Sequence, residues 1–112
     1  MKKLEIIIKP EKLEMLKEIL ETNGITGMNF TNIMGYGRQN GVIKSYNGKE
    51  YKIGLVPKIK VETIVADELV EPVIQNVLEE VNTGHYGDGK IAIYPVEDYI
   101  RIRTGERGTD AL

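Results

Sequence analysis

Leu4-Glu5-Ile6-Ile7-Ile8-Lys9-Pro10 is an apolar, β-branched run closed by a proline. A run of this length ended by a turn signal reads as a buried strand. Pro10 can open a helix without losing a needed N–H. From Glu11 onward, Leu13, Leu16, Ile19 and Leu20 fall on one helical face, and Gly24 is placed to end the helix in the left-handed conformation. A second strand is expected over about 28–36.

The same unit returns downstream. Residues 58–65 alternate toward a strand. Asp67 is suited to cap a second helix, whose apolar face holds Val70, Val73, Ile74, Val77, Leu78 and Val81, and Gly84 is expected to end it. Pro72 is expected to push the first regular turn later. A glycine-rich loop over 84–89 leads to a strand over 90–94, then a short strand over 99–103 and a polar tail. Strand, helix, strand, used twice, is the ferredoxin-like split βαβ pattern, an α+β fold with both helices on one face of an antiparallel sheet. The open face must meet solvent, a ligand or another subunit. Between the halves, residues 37–54 carry Gly37, Gly41, Gly48 and Gly54 without helical or strand periodicity. A loop that long inside a compact domain tends to be functional or disordered.

Composition bounds the rest. A chain of 112 residues, 41% hydrophobic, is read as one domain over 1–112. A domain this size buries roughly two thirds of its extended-chain surface, so a subunit interface would help. Fifteen basic against seventeen acidic residues, net charge −2, give no electrostatic reason to expect nucleic acid. With no cysteine, disulfides and thiolate metal sites are excluded. The apolar run after Met1 is too short for a signal peptide or a membrane span, so a cytoplasmic protein is expected.

Three polar segments carry the chemistry. Gly35-Tyr36-Gly37-Arg38-Gln39-Asn40-Gly41 approximates a dinucleotide fingerprint, but its third glycine comes one residue late and it opens into a loop. It reads as a flexible turn or as backbone approach to an anion helped by Arg38. Gly84-His85-Tyr86-Gly87-Asp88-Gly89-Lys90 approximates a P-loop, but Ile91 stands where Ser or Thr is needed and a strand follows. Its glycines can still turn several N–H groups toward a phosphate, with Lys90 adding charge. In Arg101-Ile102-Arg103-Thr104-Gly105-Glu106-Arg107-Gly108, strand alternation would project Arg101 and Arg103 from one face, toward a bidentate anion or a surface carboxylate. His85 is the only histidine, and Glu79 and Glu80 read as a solvated helix face, so no enzyme site is expected.

In this order on a doubled βαβ chain, these segments resemble the PII nitrogen-signalling family. The match also takes in Gly27-Met28, Pro57-Lys58 and Thr83-Gly84. The resemblance implies a non-enzymatic regulator: a homotrimer of ferredoxin-like subunits binding ATP or ADP between neighbours. It implies that Gly87, Asp88, Gly89 and Lys90 hold phosphates, that Arg101 and Arg103 reach across from the adjacent subunit, and that Arg38 approaches the phosphates. Ile7, Gly35 and Ile64 would line the adenine and ribose region beside Tyr36 and Gly37, with Asn29 where the family often has Thr. 2-Oxoglutarate would bind beside ATP through magnesium. Gln39 would supply a metal ligand, Lys58 would pair with the distal carboxylate, and Asn40, Gly41 and Gly87 would complete that site.

Residues 37–55 correspond to the family's T-loop, which docks on targets. The targets implied are an Amt-type ammonium transporter, with membrane contact only through it, or nitrogen-metabolism enzymes. Tyr51 occupies the position modified in some relatives, but Asn47 and Lys49 depart from the uridylylation pattern. A nitrogenase-linked relative is one alternative. An acyl-phosphate hydrolase built around Arg38 and Asn40 is the other.

Overall fold

The computed structural model describes residues 1–36, 42–46 and 49–112, with backbone alone for 42–46 and 49–53. The strands β1 (Lys2–Ile8), β2 (Asn29–Tyr36), β5 (Leu55–Val65) and β6 (Lys90–Pro95) form one antiparallel sheet in the order β2-β5-β1-β6. This is the expected ferredoxin-like order, with the first and third main strands central. Alternation sets the two faces. Leu4, Ile6 and Ile8 of β1 and Ile59, Val61 and Val65 of β5 point into the core, beneath the helices α1 (Leu13–Thr22) and α2 (Asp67–Glu80). From the helices come Leu16, Ile19, Leu20, Val70, Val73 and Val77. Each fully buried aliphatic side chain stabilises the fold by about 2 kcal/mol.

A short 3₁₀ turn, Pro10–Lys12, leads into α1. At its far end, the Ile25 N–H donates to the Leu20 carbonyl at 2.9 Å and the Gly24 N–H to that of Glu21 at 2.9 Å. This is the expected glycine-ended helix, with Gly24 at φ +79°. The Asn23 amide donates to the Ile19 carbonyl at 2.8 Å and to the Asn76 side chain at 3.0 Å, tying the end of α1 to α2.

Several expectations are corrected. Asp67 is the first helical residue and not the cap; Ala66 holds that position, and the Asp67 carboxylate pairs with the Met1 amino group at 2.9 Å. Pro72 does not delay α2 but lies inside it. The helix ends at Glu80, four residues before Gly84. Strand β5 starts at Leu55, earlier than expected, and accommodates Pro57 because β1 pairs only from Ile59 onward. The interval read as aperiodic holds an antiparallel hairpin, β3 (Val42–Tyr46) with β4 (Lys49–Ile53). Asn47 and Gly48 lie outside the described residues, as do Gly37, Arg38, Gln39, Asn40 and Gly41. Finally, the segment expected as a strand over 99–103 is a turn. The Gly105 N–H donates to the Arg101 carbonyl at 2.7 Å, and a single bridge joins Ile100 to Arg107.

Among the described residues no helix is long and apolar enough to cross a membrane.

Candidate functional site

Two polar clusters lie at opposite ends of the sheet. At the first, the loop after α2 closes on the end of β1. The Asp88 carboxylate accepts from the Thr83 N–H at 2.7 Å, the Gly84 N–H at 3.0 Å and the Thr83 hydroxyl, and it pairs with Lys9 at 3.4 Å. The Thr83 hydroxyl bond, then desolvation opposed by the backbone bonds and Lys9, leaves the Asp88 carboxyl well below the usual carboxylate range. Gly87 and Gly89 have φ +92° and +114°. At Gly89 any Cβ would overlap the Ile7 carbonyl oxygen, so only glycine lets the loop lie on β1 there.

The Lys58 ammonium group donates to the Gly87 carbonyl from a buried position. Burial, and then the charge of Lys9, lowers its pKa, against the opposing pull of Glu11 and Asp88. Its stem passes Gly35, where a Cβ would sit 3.2 Å from the Lys58 Cγ. Ile7 and Lys90 are register partners beside the loop, and the Tyr36 ring is exposed and lies against Gly54. A cleft of about 470 Å³ opens here between Lys9, Glu11, Pro57, Lys58, His85 and Tyr86.

At the other end, Asn29, Ile64 and Arg101 share a cleft of about 660 Å³ with Gly27, Met28, Glu62 and Tyr99. Asn29 and Glu62 are register partners. The Thr63 hydroxyl is buried and donates to the Gly27 carbonyl at 2.6 Å, which fixes the rim. Arg101 donates to Glu106 at 3.0 Å and to the Leu112 carbonyl at 3.1 Å, so it takes the carboxylate partner of the two the sequence left open. Arg103 lies exposed on the turn, and the two guanidinium groups are not strand neighbours.

Six strand steps separate Asn29 from Gly35, about 20 Å at the ordinary rise. The expected residues therefore fall into two groups. Ile7, Gly35, Tyr36, Lys58, Gly87, Asp88, Gly89 and Lys90 gather at the loop end, and Asn29, Ile64 and Arg101 at the other, with Arg103 exposed on the turn that follows Arg101. Within one chain Ile64 lies apart from Ile7 and Gly35: its register partner is Lys3, toward the opposite end of β1 from Ile7. Between the clusters lies a charge lattice. Glu62 pairs with Lys3 at 3.6 Å and with Lys60 at 3.5 Å, Lys60 reaches Glu5 at 3.8 Å, and the Tyr94 hydroxyl donates to Glu5 at 2.8 Å. That bond holds the Tyr94 phenol pKa above its usual value.

Sequence reasoning missed Glu62, Thr83 and Lys9. Glu62 was open to view, because alternation puts it on the face of Lys60 and Ile64. Among the described residues no group of three His, Cys, Asp or Glu gathers to hold a metal ion. His85 is exposed.

Comparison with known proteins bears on the same elements. A family model described as nitrogen regulatory protein P-II matches residues 1–106. Proteins named nitrogen regulatory protein P-II from Pasteurella multocida and Haemophilus influenzae are 50% and 49% identical over 112 residues, covering each chain in full. One named nitrogen regulatory protein P-II 2, from Methanothermobacter thermautotrophicus, is 47% identical over all of this chain and 97% of its own length. A match that runs unbroken through both clusters and the sheet joining them makes this chain a member of the P-II family of nitrogen regulatory proteins.

Proposed function

We propose that this chain senses ATP or ADP together with 2-oxoglutarate, at sites completed between protomers of a homotrimer, and that it regulates nitrogen assimilation in the cytoplasm through the hairpin segment. The observation that carries this reading is the separation of the two clusters. A nucleoside triphosphate is shorter than the roughly 20 Å between Asn29 and Gly35, so one chain does not close both ends on it. Head-to-tail neighbours would bring the loop end of one protomer to the Asn29 and Arg101 end of the next, and a heterologous contact that closes makes a ring.

The residues fit such a ligand. Glycine at 89 lets the loop lie flat on β1, where its backbone N–H groups would meet a phosphate, and Lys90 begins the strand beside it. Lys58, held back from water and next to the same loop, is suited to a carboxylate. Magnesium would screen the triphosphate from that dicarboxylate. Its proposed ligand Gln39, with Gly37, Arg38, Asn40 and Gly41, belongs to the segment outside the described residues. Regulation would run through the hairpin, docking on an Amt-type ammonium transporter or on nitrogen-metabolism enzymes. Tyr51 on β4 is the position open to modification.

Calorimetry of the purified protein with ATP, and with 2-oxoglutarate in the presence and absence of magnesium–ATP, tests the reading. Expected are saturable ATP binding, a 2-oxoglutarate signal only with nucleotide, and trimer mass by sedimentation. A strictly monomeric protein, or one that ignores ATP, refutes it.

A further inference from the structure

The Asp88 carboxylate sits within the loop proposed to hold phosphates, where a free negative charge would oppose any polyphosphate. It is turned away from that role. Four donors close around it: the Thr83 N–H at 2.7 Å, the Thr83 hydroxyl, the Gly84 N–H at 3.0 Å and the Lys9 ammonium at 3.4 Å. Two of these are side-chain groups that can be removed without touching the backbone of the loop.

We infer that Thr83 and Lys9 are positioning residues that hold the Asp88 carboxylate back from the phosphate cradle, so that the anion there meets peptide N–H groups and Lys90. The inference rests on the nucleotide reading above. Nothing in the family match assigns these two side chains a role. Thr83 contributes the closest donors, from backbone and hydroxyl together. Lys9 contributes the only full positive charge in the clamp, and it comes from the end of β1, so it also fixes the loop to the sheet. With the hydroxyl gone, one donor fewer opposes rotation of the carboxylate toward the cradle, while the Thr83 and Gly84 N–H groups and Lys9 remain.

This role predicts a charge-graded defect, which a purely structural role does not. A released carboxylate repels ATP more than ADP, because ATP carries one more negative charge. One extra unit charge a few ångströms away in water-like surroundings is worth about threefold in affinity. Thr83→Val is expected to lose about threefold more affinity for ATP than for ADP. Thr83→Ser, which keeps the hydroxyl, should bind both normally. Adding Asp88→Asn to Thr83→Val removes the offending charge and should erase the ATP-specific part of the loss.

The measurement is magnesium-free ATP and ADP titration of the full-length protein and each variant. Should Thr83→Val fail to fold, Lys9→Met compared with Lys9→Met/Asp88→Asn carries the test, since the loss of the lysine charge is common to both and only the released carboxylate differs. Equal losses for the two nucleotides, or no recovery on adding Asp88→Asn, overturn the clamp while leaving the nucleotide reading standing. Absence of ATP binding by the unaltered protein overturns both.

Discussion

The Lys58 ammonium group donates to the Gly87 carbonyl oxygen, joining the central strand β5 to the loop before β6. The same group is proposed to meet a ligand carboxylate, so its resting partner and its ligand compete for one set of protons. Lys58→Met keeps the aliphatic stem along Gly35 and removes only the charge. Expected are a stability loss of about 1 kcal/mol from one hydrogen bond, ATP affinity within about threefold of the original, and loss of the 2-oxoglutarate response. Paired calorimetric titrations separate the last two.

Acid should loosen the protein through Asp88. Its folded pKa lies below the usual value, because the Thr83 hydroxyl and its fellow donors favour the carboxylate. The unfolded value is about 3.9. The stabilisation is therefore complete above pH ~4 and is lost as pH falls from there toward the folded pKa. Asp88→Asn should lower the urea midpoint at pH 7 and narrow its gap to the parent protein at pH 2.5. A gap that stays constant between those pH values would contradict the assignment.

Gly89 tolerates no side chain. Its φ of +114° is strained for any L-residue, and a Cβ would overlap backbone at Ile7. Gly89→Ala should cost about 3 kcal/mol or more, measured by denaturant unfolding, because the loop must lift from β1. Gly105→Ala is the control, since a Cβ at that positive-φ position meets nothing within 4 Å and should cost about 1 kcal/mol.

Thr63→Val tests the rim of the far cleft. It is nearly isosteric but leaves the Gly27 carbonyl without its 2.6 Å donor. Expected is a loss of about 1–2 kcal/mol of stability, with nucleotide affinity reduced because Gly27 and Met28 line that cleft. Retained nucleotide affinity would separate the rim from the ligand.

The sheet and both helices were legible because their signals are periodic. Leu4, Ile6 and Ile8 alternate against Val61 and Val65, and Leu16, Ile19 and Leu20 recur at helical spacing. What escaped is local chemistry that periodicity does not encode. Asp67 looks like a cap by residue type, yet Ala66 in extended conformation holds that position while Asp67 turns to the Met1 amine. The two arginines of the last segment looked like strand neighbours because Tyr99, Ile100 and Ile102 suit a strand, but Gly105 closes a turn back onto Arg101.

The hairpin was missed for a related reason. Val42 to Tyr46 and Lys49 to Ile53 pair mainly with each other, so neither needs the apolar face that marks a core strand. Of the candidate site, the glycines and Lys58 were visible by type. Their distribution between the two ends of the sheet was not, because it depends on register: Asn29 against Glu62, and Gly35 against Val56.

A chain that offers a different half-pocket at each end of one antiparallel ladder would, in a closed ring, grip two separate ligands at once. Loading either crevice would tug on the same β2–β5 rail that forms part of the next. Occupancy could then be felt from one crevice to another without the ligands touching, with the stiffness of that rail setting the strength of the cross-talk.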